Sequence, residues 1–552
     1  MAIFEEKTPR LRNCLVFLFF IWLFSYPVWH IGEREMFWSE GNYATAAIEQ
    51  TGFPPLMRTH GVINPRIYPL YPLFVKAVSH CGLSMESSLR TVSLLAFAAT
   101  AVLVFIAGLR TGGLQSAAAG TTIMLTTLLT GEKAVEGYPQ SLTMLILFGG
   151  WLAWFELTLG RAHWNLAWLC AGLFGALAFY SAGPTGLIYF ILPLLAQQRP
   201  LNVWNKLRYS GLVLGIALIV FAVILWRIPF WNQADPSPVL EDFSWHFSGF
   251  LKNLVMFPAD ALVRFFPWSL MIWAPFCAAL IPLDPNPLYG KYTRHLFTVL
   301  FVLIWLNPAT RSRDFLYLAP LVSVMLGSCY WIVVRRYGQR FLTLFHVLAW
   351  CLLLCAAAAA VYMLVPGDML AKFLTFRHDL AYRHVPSVFI ATMLEILFAS
   401  ILAAVSIFGI RRKAPVWMVY ALVFCSAMTL FWSIINRYRA CDKSQSALGK
   451  EFRAALETKE HFSGRHLPVI YKDSSISGLY PECCYMGVRV VTADLTKEFA
   501  PDQENVYVIS TGVPTVFERN WTRIHDKIYK DKRLYLYKGV LRKDEYDDTG
   551  DE

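Results

Sequence analysis

One stretch decides how this chain folds: residues 33–73, which read EREMFWSEGNYATAAIEQTGFPPLMRTHGVINPRIYPLYPL. It directly follows an apolar run, Leu15–Trp29, and brings the carboxylates of Glu33, Glu35 and Glu40 to the end of that run. A short amphipathic helix is predicted next, from about residue 43 to residue 50. The stretch therefore predicts a charged loop that lies directly against a membrane.

The same loop continues with three basic or titratable residues, Arg58, His60 and Arg66. Charged groups this close to a membrane are unfavourable unless they are paired or solvated, so such a cluster indicates function. The alternative is an ordinary solvated loop between two helices.

The composition places the chain among integral membrane proteins. Of its 552 residues 56% are hydrophobic, only 16% are charged, and the mean hydropathy is +0.45. The net charge of +11 does not indicate nucleic-acid binding, because the basic residues form short clusters between apolar segments. No CxxC pair, HExxH motif or Cys/His cluster predicts a metal site, and no Gly-rich motif predicts a nucleotide site.

Apolar runs long enough to cross a bilayer predict a polytopic α-helical membrane protein of about thirteen spans. We place the spans at residues 13–31, 90–109, 114–130, 140–159, 164–181, 184–197, 210–228, 262–282, 295–306, 315–334, 341–365, 386–410 and 415–436. With a cytoplasmic N-terminus, the short basic clusters between spans fall almost entirely on the cytoplasmic side, as the positive-inside rule requires. They include Arg110, Arg161, Arg208, Arg294, Arg335, Arg336, Arg340, Arg411 and Arg412.

The opposite side then receives the first loop (33–89), the turn at 131–139, the loop at 227–261, the turn at 307–314 and everything after residue 435. The aromatic segment Tyr68–His80 is too short to span and is expected to lie in the interface.

The composition changes from apolar to mixed at about residue 437, which predicts a membrane domain (1–436) and a small periplasmic α/β domain (437–552) with an acidic tail. A helix is expected over Lys450–His461, and strands over His466–Tyr471, Gly487–Thr492, Val506–Ser510 and Leu534–Tyr537. Cys441 has the potential to pair with either Cys483 or Cys484, and the sequence does not decide between them.

Four stretches on the non-cytoplasmic side carry polar groups that simple loops do not need. Besides the first loop, they hold Glu136 in the turn before a span, Arg264 at the start of a span, and the pair Arg311 and Arg313 before another. Arginine binds phosphate bidentately and is always charged, and a nearby carboxylate orients or deprotonates a nucleophile. Together, these groups predict a site for displacing a lipid-linked phosphate.

Each of these residues also has a simpler interpretation. Arg264 could snorkel to the interface, Glu136 could be a solvated turn residue, and His60 could be an ordinary loop histidine. Arg311 and Arg313 fit a simple interpretation less well, because they break the positive-inside pattern.

The motifs resemble those of the GT-C superfamily of polyprenyl-phosphate-sugar-dependent glycosyltransferases. Among these, they are most similar to the bacterial lipid A aminoarabinose transferases and the protein O-mannosyltransferases. Those families open on an acidic D-E-x-x-Y-like motif, a G-x-W-x-x-P-x-x-x-G motif and a basic-Pro-aromatic stretch. The corresponding segments here are Trp38–Tyr43, Gly52–Gly61 and Arg66–Pro72. Glu136 matches the second acidic position, and Arg311 or Arg313 with Tyr317–Pro320 matches the late basic motif.

The match is incomplete at three positions. Ser39 stands where the family has its first Asp, so Glu40 would carry that role alone or with Glu35. Arg66 stands where a lysine is expected, and Ser181-Ala182-Gly183 where Thr-Lys-Gly is usual.

The resemblance implies an inverting glycosyltransferase of the bacterial inner membrane. We expect a monomer without a cofactor, and the sequence leaves open whether a divalent metal is required. The enzyme would move a sugar from undecaprenyl phosphate to a lipid (lipid A-like), glycan or protein acceptor on the periplasmic face. Catalysis would rest on Glu40 and Glu136, and substrate binding on Tyr43, Arg58, His60, Arg66, Tyr68, Arg264, Arg311, Arg313 and Tyr317. The alternative from another class is a transporter or flippase of a lipid-linked sugar, although the chain shows no repeated halves.

Overall fold

The structure is a computed structural model. It describes residues 30–32, 34–50, 57–133, 136–197, 201–230, 247–365, 386–412, 414, 416–436, 443–460, 468–476, 478–493, 505–514, 519–529 and 532–541. The chain divides into two compact units, which are considered separately below. The first comprises residues 1–34, 68–74 and 78–441, and the second residues 35–67, 75–77 and 442–552. The domain boundary expected at residue 437 stays a prediction.

Two short helices belong to the first loop, α1 (Trp38–Glu49) and α2 (Leu70–Ser79). The remaining helices of the first unit are α3 (Met85–Leu125), α4 (Leu128–Lys133), α5 (Gln140–Phe155), α6 (Trp164–Leu195), α7 (Ser210–Arg227), α8 (Phe247–Arg264), α9 (Pro287–Leu306), α10 (Ala319–Leu364), α11 (Pro386–Arg411) and α12 (Val416–Leu430).

The first unit is that of a multi-pass membrane protein. Among the described residues, six helices are long and apolar enough to cross a membrane, or seven if one bent pair forms a single span. The count of thirteen spans stays a prediction. Most of the first predicted span, 13–31, lies outside the described residues.

Two of the long helices reverse direction at a glycine. In α3, Gly113 has a φ of 76°, and a Cβ on Gly108 would lie 2.4 Å from the Cα of Ala117, so the two halves pack side by side. In α6, Gly183 has a φ of 67°. These are the positions that separate spans 90–109 from 114–130 and spans 164–181 from 184–197. Glycine is required there because residues with a Cβ rarely adopt such backbone angles.

One predicted span and one predicted loop differ from the structure. The expected span 262–282 is broken, since α8 ends at Arg264 and the next helical segment, Trp268–Phe276, turns away by 102°. Pro267 lies at the break, and a proline cannot continue the hydrogen bonding of a helix. Conversely, residues 335–340 were expected to be a loop but are helical within α10. Arginine and glutamine favour helix, and no proline interrupts them.

In the second unit, α1 begins five residues earlier than the predicted helix at 43–50, which places Glu40 in its first turn. A small hairpin follows, with strands β1 (Arg58–Thr59) and β2 (Val62–Ile63). The turn between the strands is His60-Gly61, with φ values of 53° and 76°. Two consecutive positive φ angles are typical of the tight turns that match the twist of a hairpin.

A five-stranded sheet forms the rest of the second unit, in the order β4-β3-β5-β7-β6. Its strands are β3 (Ile470–Asp473), β4 (Val490–Ala493), β5 (Asn505–Ser510), β6 (Arg519–Tyr529) and β7 (Lys532–Leu541). Strand β3 pairs in parallel with β4 and β5, whereas β7 pairs antiparallel with β5 and β6. Helices α13 (Ser444–Lys459) and α14 (Tyr480–Met486) pack against it, with Phe452 and Leu456 of α13 buried in the shared core.

The small C-terminal α/β domain is thus confirmed, and four of its five strands overlap those expected from alternating residues. Strand β6 was missed because few of its side chains are buried, so its sequence lacks a regular apolar alternation. Cys483 and Cys484 are free thiols, and Cys441 lies outside the described residues.

We predict that Gly183→Ala destabilises the first unit. A Cβ at this position would lie 2.0 Å from the ring of Tyr68, and the backbone angle is unfavourable for alanine. Backbone strain and overpacking together are expected to lower the free energy of unfolding by about 2–5 kcal/mol. Thermal unfolding of the purified protein in detergent measures the effect. Gly149→Ala is the control, because its Cβ would make only ordinary contacts. Equal unfolding temperatures for the two variants would contradict the prediction.

Candidate active site

An ion network joins two of the sequence-predicted residues in the first unit. The Nζ of Lys133 lies 3.0 Å from the carboxylate of Glu136 and 3.1 Å from that of Glu132. The guanidinium of Arg264 lies 3.7 Å from Glu132 and 2.9 Å from Asp260. Glu132 therefore links the turn that carries Glu136 to the end of α8.

Glu136 is held in this network by burial as well as by charge. Its side chain is only 5% exposed, so it is not the solvated turn residue of the simpler interpretation. Its carbonyl accepts the N–H of Tyr138 at 2.8 Å, which shapes the turn that leads into α5. Arg264 is likewise ion-paired and does not simply extend to solvent.

Arg313 approaches the same turn from another part of the chain. Its guanidinium carbon lies 3.5 Å from the ring centroid of Tyr138, a close cation–π contact. The side chain of Arg311 is exposed, and its N–H donates to the carboxylate of Asp314 at 2.8 Å. Arg313 thus lies beside the turn that contains Glu136, and Arg311 precedes Arg313 by two residues in the chain.

Two predicted aromatic residues pack within the first unit. Tyr317 is buried and meets Tyr189 edge to face at 5.9 Å, and the hydroxyl of Tyr189 accepts from Asn307 at 2.9 Å. Tyr68 lies against Gly183 and stacks on Trp226, with 5.7 Å between the ring centroids. Tyr317 is thus part of the buried core, whereas the ring of Tyr68 is half-buried.

Glu40 lies in the second unit and is fully buried. Its Oε2 accepts the N–H of Phe37 at 2.9 Å, an interaction that closes the first turn of α1. One of its oxygens therefore caps the helix on which the residue lies.

The other predicted residues of the second unit differ in their surroundings. Tyr43 packs on the cluster of Ala46, Met57 and Ile67. Arg58 lies on β1, and its buried Nε lacks a hydrogen-bond partner among the described residues. Arg66 is exposed, and its N–H donates to the side chain of Asn64 at 3.1 Å.

His60 is buried at the tip of the hairpin, with 1% of its surface exposed. Its ring stacks on Tyr480 at 4.8 Å, and its carbonyl accepts the N–H of Thr492 at 2.7 Å. Within the described part of the chain, neither ring nitrogen has a hydrogen-bond partner. Burial, assisted by the charge of Lys472, lowers the pKa of His60 to about 3, so the imidazole is neutral at physiological pH.

Two charged residues that the sequence analysis did not select lie around His60. Burial raises the pKa of Glu49, although the N–H groups of Gly61 and His60 donate to its carboxylate and oppose that rise. Burial lowers the pKa of Lys472, whose Nζ donates to the carbonyl of Gly478 at 3.0 Å. Glu49 ends an amphipathic helix, and Lys472 lies in a strand, so neither has a sequence signal of its own.

In the first unit, the sequence analysis missed Lys133, Glu132 and Asp260. The first two end helix α4, three and four residues before Glu136, so their closeness in sequence to Glu136 was a usable signal. Among the described residues, no group of three or more His, Cys, Asp or Glu side chains is arranged to hold a metal ion.

We predict that His60 makes the stability of the protein depend on pH. Its pKa is lower in the folded state than the ordinary value of 6.5, so its contribution is complete above pH 6.5 and is lost as pH falls toward 3. The free energy of unfolding falls by at most about 1.4 kcal/mol for each pH unit in this range. His60→Asn is the matched variant, because asparagine stays neutral and tolerates a positive φ.

The measurement compares thermal unfolding of the wild type and His60→Asn between pH 7.5 and 4.5. The wild type should lose stability relative to the variant as pH falls below 6.5. A difference between the two proteins that does not change with pH would contradict the prediction.

Comparison with known proteins gives matches only at the level of structure. No protein-family model and no curated protein sequence matches the chain. ArnT from Cupriavidus metallidurans matches in the apo state with a TM-score of 0.69, at 14% identity, over 96% of this chain and 98% of that one. ArnT bound to undecaprenyl phosphate matches with a TM-score of 0.67 and the same identity and coverage.

An archaeal oligosaccharyltransferase, AglB from Archaeoglobus fulgidus, matches over 86% of this chain and 64% of its own length, at 10% identity. Its TM-score of 0.34 is too low to support an argument. The ArnT matches cover the spans and the C-terminal sheet domain alike. The chain therefore has the fold of ArnT along nearly its whole length.

Proposed function

We propose that the chain is an inverting glycosyltransferase that takes a sugar from an undecaprenyl-phosphate carrier. The acceptor would be a lipid, a glycan or a protein on the periplasmic face of a bacterial inner membrane. In this proposal the N-terminus is cytoplasmic, the C-terminal domain is periplasmic, and the protein acts as a monomer.

The observation that carries the proposal is the fold shared with ArnT, which has been solved with undecaprenyl phosphate bound. The ion network supports it from this chain's own residues. Cations close to a buried carboxylate at the ends of apolar helices are what a displacement of a lipid-linked phosphate needs.

The cations would bind the phosphate of the carrier. Lys133 and Arg264 form ion pairs with three carboxylates in the same unit, those of Glu132, Glu136 and Asp260. These two cations are therefore balanced without substrate, and a bound phosphate would compete with the carboxylates for them. As the sugar leaves, negative charge grows on the phosphate, and fixed cations stabilise that charge more than the ground state. Arg66 would assist from the first loop.

Glu40 would orient or deprotonate the acceptor, and Glu136 would assist. The contact between Glu40 and Phe37 involves one oxygen of the carboxylate, and a carboxylate has acceptor sites on both of its oxygens. Tyr43, Arg58, His60, Tyr68 and Tyr317 would line the substrate sites.

We predict that Glu40→Gln abolishes sugar transfer. The amide oxygen of glutamine can still accept the N–H of Phe37, so the start of α1 should be retained while the base is lost. Removing a general base is expected to lower the rate by about 100- to 10,000-fold. The assay follows sugar transfer by the purified protein from a polyprenyl-phosphate-linked sugar. Glu457→Gln is the control, because Glu457 lies on the surface of α13 in a half-exposed ion pair with Arg453.

Transfer by Glu40→Gln at the wild-type rate would show that Glu40 is not the base. If the wild type leaves the carrier intact and only moves it across a vesicle membrane, the protein is a transporter and the proposed function is wrong.

We predict that Arg313→Gln weakens binding of the carrier phosphate. Loss of a charge-assisted hydrogen bond costs about 1.5–3 kcal/mol, which corresponds to a roughly 10- to 150-fold lower affinity. Titration of the purified protein with undecaprenyl phosphate, followed by thermal unfolding, measures the affinity. Arg340→Gln, an exposed arginine in the middle of α10, is the control. Equal affinity in Arg313→Gln and the wild type would remove Arg313 from the phosphate site.

A further inference from the structure

Glu35, the second glutamate of the opening stretch, binds to the start of a helix 410 residues further along the chain. Its Oε2 accepts the N–H of Gln445 at 3.1 Å, and its Oε1 accepts the N–H of Ser446 at 3.0 Å. The hydroxyl of Ser446 donates to the same Oε1. Glu35 is 7% exposed, so this is a buried contact within the second unit.

The contact supplies what α13 lacks. The first N–H groups of a helix have no partner within the helix, and a residue such as Ser, Asp or Asn usually caps them. The N-cap position of α13 is Lys443, whose side chain makes no capping hydrogen bond. The carboxylate of Glu35 takes that place, and its negative charge also suits the positive end of the helix dipole.

Further contacts hold the residues between Glu35 and Gly41. The N–H of Met36 donates to the hydroxyl of Tyr485 at 2.9 Å, and the N–H of Phe37 donates to Glu40. Gly41 follows, and it packs so closely on Pro481 that a Cβ would lie 2.5 Å from the nitrogen of that proline. The residues on both sides of Glu40 are thus fixed to the C-terminal sheet domain.

The packing of α1 on α14 extends this attachment by one more turn. The hydroxyl of Thr45 lies 3.4 Å from the sulfur of Cys484, and it donates to the carbonyl of Gly41 at 2.9 Å. Helix α1 alone has only twelve residues, and isolated helices this short are marginal in water. Its geometry therefore depends on the domain that it packs against.

We propose that Glu35 is a positioning residue for Glu40. In this proposal the C-terminal sheet domain holds residues 35–49, the segment that carries Glu40, in place. The inference rests on the proposed function, because it assigns Glu40 a part in the reaction. The inference also assigns different roles to the carboxylates of Glu35 and Glu40. Both oxygens of Glu35 accept hydrogen bonds from α13, so Glu35 is not a second base.

The test compares four variants of the full-length protein. Glu35→Ala removes the cap, Glu35→Gln keeps one acceptor oxygen, and Ser446→Ala removes only the hydroxyl donor. Glu457→Gln is the matched control, a glutamate on the same helix in an exposed ion pair. Sugar transfer is measured as kcat and as KM for the polyprenyl-phosphate sugar.

A misplaced catalytic group lowers kcat by about 10- to 100-fold. We expect that loss in Glu35→Ala, a smaller loss in Glu35→Gln, a still smaller one in Ser446→Ala, and none in Glu457→Gln. The KM for the donor should stay within about twofold, because the proposed phosphate ligands Arg264 and Arg313 are untouched. Wild-type kcat in Glu35→Ala, or a rise in KM at constant kcat, would overturn the proposal.

Hydrogen exchange gives a second readout that needs no activity. Amides of residues 36–49 and of the first turn of α13 should exchange faster in Glu35→Ala, and less so in Glu35→Gln. If the wild type transfers no sugar, the proposed function fails, while exchange still reports whether Glu35 holds the loop. If Glu35→Ala does not fold, the remaining three variants test the proposal. Their kcat values should then rise in the order Glu35→Gln, Ser446→Ala and Glu457→Gln. Equal kcat in those three would overturn the proposal.

Discussion

Burying a charge is costly unless the charge is paired, and this constraint shapes the arrangement of polar groups in both units. An unpaired ion in a low-dielectric surrounding is unfavourable, and the buried carboxylates of Glu136 and Glu35 accordingly come with their own donors. In the first unit, Glu136 is held by Lys133, and Arg264 by Asp260 and Glu132. In the second unit, Glu35 is held by the first N–H groups of α13.

The same constraint distinguishes the glutamates that open the chain's first loop, which are equivalent in sequence. Both oxygens of Glu35 accept hydrogen bonds from the first N–H groups of α13. In contrast, one oxygen of Glu40 closes the first turn of α1. Glu33 lies outside the described residues. Burial also decides the state of His60, whose neutral ring stacks on Tyr480. Position in the fold, and not residue type, therefore sets what each group can do.

The sequence was sufficient for the class of fold because apolar runs of membrane length and a tail of alternating residues are strong signals. The boundaries predicted between spans 90–109 and 114–130 and between spans 164–181 and 184–197 also coincide with Gly113 and Gly183, which adopt positive φ angles in the structure. The prediction failed where a local signal conflicts with packing. The apolar run at 262–282 contains Pro267, and the charged segment 335–340 is helical because it contains good helix formers.

The candidate site was predictable only in part, for a related reason. Glu136, Arg264 and Arg313 stand out because charge is rare beside apolar helices. Lys133 and Asp260 lie three and four residues from Glu136 and Arg264, so a search for local ion pairs would have found them, whereas the contact between Glu132 and Arg264 depends on the fold. Lys472 lies 412 residues after His60, and no local pattern joins the two.

The central claim is that the chain transfers a sugar from a lipid-linked phosphate, and the fate of the carrier tests it most directly. The purified wild-type protein would be incubated with a polyprenyl-phosphate-linked sugar and a membrane-lipid acceptor, and the products analysed by mass spectrometry and NMR. The account predicts free polyprenyl phosphate, an equal amount of glycosylated acceptor, and inversion at the anomeric carbon. Intact carrier after prolonged incubation with lipid, glycan and peptide acceptors in turn would contradict it.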